Sequence, residues 1–443
     1  MISYHFHRRI FLRYFAFLFL SLPRLAVALC VGGFLSASAL VAADHLSSPL
    51  ADPPKWGSLA KYQKSITHDE FERLLREVYA PRGMGDEFIR VDRDFACILM
   101  DRNAQTWFTL RFAKDERSRR PVARGWRSAR ALPQPKRAGV LAGLKIALDP
   151  GHIGGAWAKM EERWFKLGDA PPVEEGEMTL RVAKMLAPKL RSLGARVTFV
   201  REKNEPVTPF RPDDFKGAAR DVLKAAGIEN PPEDFERPDD PLREQSVRWQ
   251  SEILFYRTNE IRQRARLVNL RLHPDLVLCL HFNAEAWGDE RNPSFIDKNH
   301  LHLLVNGSYL ESELAYDDER FEMIRRLLSR AYEEEAGIAD TVAATMAKQM
   351  QLPPYQYTTD TVTKVGASGY VYARNLAATR LYHCPVVYFE PYVMNNAEVF
   401  ARVQAGDYEG TRPINGVERP SIFRDYVDSV VAGLVEYYRN TRR

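Results

Sequence analysis

The sequence predicts an α/β fold: a mostly parallel, twisted sheet flanked by helices, with a small N-terminal α+β module. Three observations carry this. The runs 145–152, 276–281 and 385–390 are short, apolar and rich in β-branched residues, as buried parallel strands are. Between the first run and the strand-like stretch 195–200 lies a segment, 177–193, with Leu180, Val182, Ala183, Leu186 and Leu190 at helical spacing and Gly194 as its stop. Strand, helix and strand in that order call for a right-handed parallel crossover.

From the N-terminus, residues 1–43 contain Arg8, Arg9, Arg13 and Arg24 and no acid, then apolar runs and a small-residue stretch ending at Ala43. This reads as a signal peptide cut after Ala43, the rival being a retained anchor over 25–43. Without that segment the chain holds 59 basic and 58 acidic residues, a balance that excludes bulk charge as a reason to bind nucleic acid. The three remaining cysteines, Cys97, Cys279 and Cys384, are odd in number and do not make a disulfide framework.

The small module spans 44–113. Its helix starts at a capping box, Thr67 with Glu70, and runs to about Tyr79; strands follow at 88–91, 95–100 and 107–112. A basic linker rich in Arg and Pro, 114–140, leads to the main domain, 141–443. That domain carries two insertions, about 203–257 and 308–337. Helices are expected over 215–226, 260–272, 319–335, 340–350 and 423–438, and a further strand over 301–305.

The three apolar runs end on ionisable residues, His152, His281 and Glu390. In an open α/β sheet, ligands sit beyond the carboxyl ends of the strands. Two imidazoles and carboxylates converging there are the donor set of a catalytic zinc. Gly151, Gly154 and Gly155 give the His152 turn its backbone freedom, and Asp149 is placed to hold the His152 ring from behind. Glu174, Glu175 and Glu177 all stand at the start of the 177–193 helix, and spacing alone does not choose among them. Asn283 is placed to orient His281 or to touch substrate, and Pro391 to end pairing after Glu390.

These residues resemble the zinc-dependent N-acetylmuramoyl-L-alanine amidases. The resemblance lies in Asp149-Pro150-Gly151-His152-Ile153-Gly154-Gly155 and in Glu175 five residues before Leu180. It continues in Arg264 and Asn269 ahead of Leu280-His281-Phe282-Asn283-Ala284, and in Glu390 ending a strand before Asn395. It covers about 143–440. It implies that His152, Glu175 and His281 bind Zn²⁺, that Glu390 is the catalytic carboxylate, and that Asp149, Asn283 and Arg264 serve as substrate or supporting residues. The substrate implied is peptidoglycan, cut between N-acetylmuramic acid and L-alanine by an exported protein of the periplasm or cell envelope. Ile153 departs from the family's glycine after histidine, and Pro391 from a more flexible residue. Some members block their zinc with an inserted helix until an activator protein removes it, a role open to the 319–335 helix. The alternatives are a zinc carboxypeptidase-type cell-wall peptidase and a catalytically inactive cell-wall binding protein.

Overall fold

Five consecutive apolar residues, Leu276–Leu280, are all buried, which only a strand covered on both faces allows. The computed structural model describes residues 46–133, 139–287 and 293–442; the expected signal segment lies outside them. Among the described residues no helix is long and apolar enough to cross a membrane.

The N-terminal module consists of helix α1 (His68–Leu74), capped by Thr67, and an antiparallel sheet of β1 (Ile89–Val91), β2 (Phe95–Asp101) and β3 (Thr106–Arg111). Its buried residues, from Leu59 to Phe112, continue the same apolar cluster that fills the main sheet. The following segment, as far as residue 133, is docked against the main domain. Trp126, Ala129 and Leu132 are buried, and Arg127 bonds Asp275 and the Gly143 carbonyl.

The main sheet has seven strands in the order β10-β11-β9-β12-β8-β4-β7: β4 (Lys145–Pro150), β7 (Arg196–Phe199), β8 (Leu276–Leu280), β9 (Leu301–Val305), β10 (Thr363–Val365), β11 (Val371–Ala373) and β12 (Val386–Pro391). Between β4 and β7 lies a two-stranded pair, β5 (Trp164–Phe165) with β6 (Val173–Glu174). Strands β12, β8, β4 and β7 are parallel, as expected. Strand β9 runs antiparallel to β12, and β10 to β11, while the other pairings are parallel, so the sheet is mostly parallel as expected. Pro391 does not end pairing; it sits opposite Leu301, where its missing N–H costs the ladder little at a strand end. The carboxyl ends of β4, β8 and β12 therefore share one edge with the start of β9.

One face is covered by α2 (Glu175–Ser192) and by two long helices further along the chain, Ala331–Met350 and Ile422–Thr441. The opposite face is covered by a continuous helical run and by the short helix Ala377–Leu381. That run comprises α4 (Val247–Ile253), the π-wound Leu254–Asn259, α5 (Glu260–Leu267) and the π-wound Val268–Leu272, of which the part from Glu260 onward packs on the sheet; α3 (Lys216–Ala225) precedes it. The single helix expected over 319–335 is two, Asp317–Ser329 and Ala331–Met350, broken at Arg330 with φ 58°. The first packs on β2 and α1, and Arg326 bonds the carbonyls of Tyr382 and Cys384 at the start of β12, the edge away from Glu390. It is a brace between module and sheet, not a cover for the edge that carries His152, His281 and Glu390.

The 203–257 insertion folds into a lobe with its own core. Phe215, Ala219, Leu223, Val247, Leu254 and Phe255 pack together, and the residue they close on is Ile153, fully buried. The departure from glycine after His152 thus has a physical reason: the side chain ties the histidine turn to the inserted lobe. Ile153→Ala is expected to cost about 2–5 kcal/mol, by loss of burial and an unfilled cavity. Urea unfolding followed by circular dichroism checks this; a loss under about 0.5 kcal/mol contradicts it.

Candidate metal centre

His152 reaches the edge through strain. Its φ is 58°, a left-handed conformation that costs a non-glycine residue about 1 kcal/mol. Two buried arginines hold it there. Arg264, 1% exposed, donates from Nη1 to Asp149 Oδ1 (2.9 Å) and the Pro150 carbonyl (2.8 Å), and from Nη2 to the His152 carbonyl (2.8 Å). Arg201, at the end of β7, donates to the carbonyls of Gly176 (2.7 Å) and Gly151 (3.3 Å). Burial and then the neighbouring Arg264 draw the Arg201 pKa down to about 9. Gly151 must be glycine: a Cβ there would fall 2.1 Å from the His281 ring.

Glu175 is the first residue of α2 and only 2% exposed. Its carboxylate lies between the two imidazoles, Oε2 at 3.1 Å from His152 Nε2 and Oε1 at 3.0 Å from His281 Nδ1. The Phe282 N–H also donates to Oε1 (3.2 Å). Burial alone would raise the Glu175 pKa, but the two histidines outweigh it and hold the carboxylate far below its usual range. Glu174 is turned away and accepts from the Gly155 N–H, and Glu177 is exposed, so Glu175 alone of the three faces the histidines.

The donor atoms of His152, Glu175 and His281 lie within 4.8 Å of one another, the one such cluster among the described residues. The two rings are 5.0 Å apart and nearly perpendicular. Two nitrogens and a carboxylate oxygen converging on one point fit the donor set and number of a catalytic zinc. Behind them stands a carboxylate that sequence reasoning missed. Glu161 accepts from the N–H groups of Ile153 and Gly154 and lies 3.7 Å from His152 Nδ1. It takes the place expected of Asp149, whose carboxylate is occupied by Arg264 and the Tyr382 hydroxyl. Arg264 is likewise too deeply buried to touch substrate. Asn283 bonds its own neighbour, Ala284 N–H (2.7 Å), and its N–H donates to the Tyr392 carbonyl, fixing the strand exit after His281.

Glu390 is next in register to His281: Phe389 pairs with Leu280, and the His281 N–H donates to the Phe389 carbonyl (3.1 Å). Tyr388 stacks on His281 at 4.2 Å. Burial and then the charge of Glu175 hold the Glu390 pKa well above the carboxylate range, against the pull of Arg163 and Arg374. The site thus combines three convergent donors, a carboxylate inclined to keep its proton, and nearby cationic side chains.

The chain matches no family model, and no curated protein matches it. It is similar to solved structures. One is the N-acetylmuramyl-L-alanine amidase Ami1 from Mycobacterium smegmatis, with 15% identity, 68% of this chain and 99% of that chain covered, and a TM-score of 0.33. Another is the N-acetylmuramoyl-L-alanine amidase AmiC2 of Nostoc punctiforme, with 14% identity, 68% and 99% covered, and a TM-score of 0.32. A third is the CwlD amidase from Clostridioides difficile in complex with the GerS lipoprotein, with 10% identity, 67% and 100% covered, and a TM-score of 0.34. Likeness at this level does not assign an activity; the chemistry must come from the side chains.

Glu161→Gln keeps an acceptor for the two N–H groups but removes the charge facing His152. It is expected to weaken zinc binding about 10- to 100-fold, measured by competition with a chromophoric chelator. Unchanged affinity would show that Glu161 only supports the loop.

Proposed function

We propose that this chain is a zinc-dependent N-acetylmuramoyl-L-alanine amidase, a peptidoglycan hydrolase that cuts the amide between N-acetylmuramic acid and the L-alanine of the stem peptide. The observation that carries this reading is the meeting of His152 and His281 with Glu175 at a sheet edge where Glu390 is next in register to His281 and feels the Glu175 charge, which with burial raises its pKa. His152, Glu175 and His281 would hold the ion. Bound there, zinc supplies an activated water and polarises the substrate carbonyl.

The chain's own residues do the rest. Glu390 receives a proton at its carboxylate during attack and passes it to the departing L-alanine nitrogen. A carboxyl whose pKa stands above its usual range suits that second transfer. Tyr388 keeps the His281 ring in plane through its stacked contact, and Arg264 and Glu161 keep His152 facing the same point. Peptidoglycan is the partner in this reading, which places the protein, once exported, in the periplasm or cell envelope. Release of a blocking helix by an activator protein is not part of the proposal, since the 308–337 helices brace the far edge of the sheet.

Glu390→Gln is expected to keep its zinc and lose about 10²- to 10⁴-fold in rate. The check is mass spectrometry of stem peptides released from purified sacculi, with metal content measured in parallel. Cutting at the unaltered rate would remove Glu390 from the chemistry. Chelation should abolish release and added Zn²⁺ restore it; shortened stems still joined to muramic acid would make the protein a peptidase instead.

A further inference from the structure

Glu390 has a neighbour that the proposed reaction does not use. Strands β8, β12 and β9 lie side by side in the sheet. Across β12 and β9, Tyr388 is opposite Leu304 and Glu390 is opposite His302. Strand alternation puts Tyr388, Glu390 and His302 on one face, the face on which Tyr388 stacks on His281. Glu390 therefore stands between His281 on one side and His302 on the other. Directly opposite residues of antiparallel strands have Cβ atoms about 5 Å apart, close enough for their side chains to bond.

His302 is held firmly. It is buried, and the rings of Tyr355 (5.0 Å) and Tyr357 (5.4 Å) pack against it. Its Nε2 lies 3.0 Å from the Tyr357 hydroxyl oxygen. Arg374 also bonds Tyr357. A guanidinium only donates, so it occupies a lone pair of the Tyr357 oxygen and directs the hydroxyl hydrogen toward Nε2. Burial, and then the charges of His300 and Arg374, draw the His302 pKa well below its usual range, so the ring is neutral. A neutral imidazole that accepts at Nε2 carries its hydrogen at Nδ1.

That Nδ1 is buried and has no hydrogen-bond partner among the described residues. The Glu390 carboxyl has no hydrogen bond among them either. A buried donor without an acceptor is costly, and the acceptor that the strand register sets opposite this one is a carboxylate. We propose that His302 is a positioning residue for Glu390: its Nδ1–H donates to one carboxylate oxygen and leaves the other facing the point where His152, Glu175 and His281 converge. A turn of the Glu390 side chain about its own bonds makes the contact, and Tyr357 holds the ring in the tautomer that donates. This deepens the amidase reading and rests on it. His302 acts through Glu390 and does not touch substrate.

Three substitutions separate position from packing. Asparagine puts an amide nitrogen where histidine has Nδ1, glutamine puts one where it has Nε2, and phenylalanine keeps a ring with neither. On N-acetylmuramoyl peptides, His302→Phe is expected to lower kcat about 10- to 100-fold, the loss typical of one hydrogen bond to a charged group, with KM and zinc content unchanged. His302→Asn should keep more of kcat than His302→Gln or His302→Phe, and Tyr357→Phe should lower it about three- to tenfold; thermal unfolding checks the fold of each variant. The reverse order, with His302→Phe best and His302→Asn worst, is that of a histidine that only fills space and overturns the proposal. A second readout needs no turnover. In zinc-loaded protein isotope-labelled at histidine, the His302 Nδ1–H resonance, assigned by its loss in His302→Phe, should move in Glu390→Ala. A ring with its hydrogen on Nε2, or a resonance that Glu390→Ala leaves in place, overturns the proposal. A resonance that moves, with no hydrolysis of any muramoyl peptide by the unaltered protein, keeps the pair and overturns the amidase reading.

Discussion

The site depends on a turn that cannot hold itself. Between β4 and the 203–257 lobe, the chain turns at Gly151 and His152 with carbonyls pointing into the protein and one residue left-handed. Buried carbonyls need donors. Arg264 donates to the Pro150 and His152 carbonyls and Arg201 to that of Gly151, and Thr179 adds a hydrogen bond to the Gly151 carbonyl (2.8 Å). Arg264 is in turn charge-balanced by Asp149 and Glu260, both buried. Removing it would leave two carboxylates unpaired in the interior, a loss of about 3–5 kcal/mol. The same Glu260 accepts the N–H groups of Val207 and Thr208, so the lobe and the turn share one buried charge network.

That network explains why the inserted lobe and the isoleucine after His152 occur together. Ile153 would be a liability beside His152 if it faced water. It faces the inserted lobe, whose apolar residues require a partner on the sheet domain. Insertion and substitution are two sides of one contact.

Much of this was legible in the sequence because strand ends are where side chains leave the core. His152, His281 and Glu390 each close an apolar run, and the sheet brings those three ends to one edge. Glu175 was not separable from Glu174 and Glu177 by spacing. What separates them is that Glu174 is still in extended pairing with Trp164, so the helix begins at Glu175 and turns it inward. Glu161 and Arg201 carried weak signals: Glu161 lies in an irregular loop, and Arg201 follows a strand as any polar residue does. The reversal of β9 was hidden because a buried run such as Leu301–Val305 has the same composition in either direction. The break at Arg330 was hidden because the helices on both sides of it bury apolar residues, so the pattern runs on through the kink.

The central claim is that His152, Glu175 and His281 together form an open metal site. X-ray absorption at the zinc edge of the loaded protein tests it most directly. Two imidazole nitrogens at about 2.0–2.1 Å with oxygen donors completing four-coordination, and loss of one imidazole contribution in His281→Ala, is the predicted result. A spectrum dominated by sulfur, or one with no imidazole scattering, would contradict the account and place the metal elsewhere on the chain.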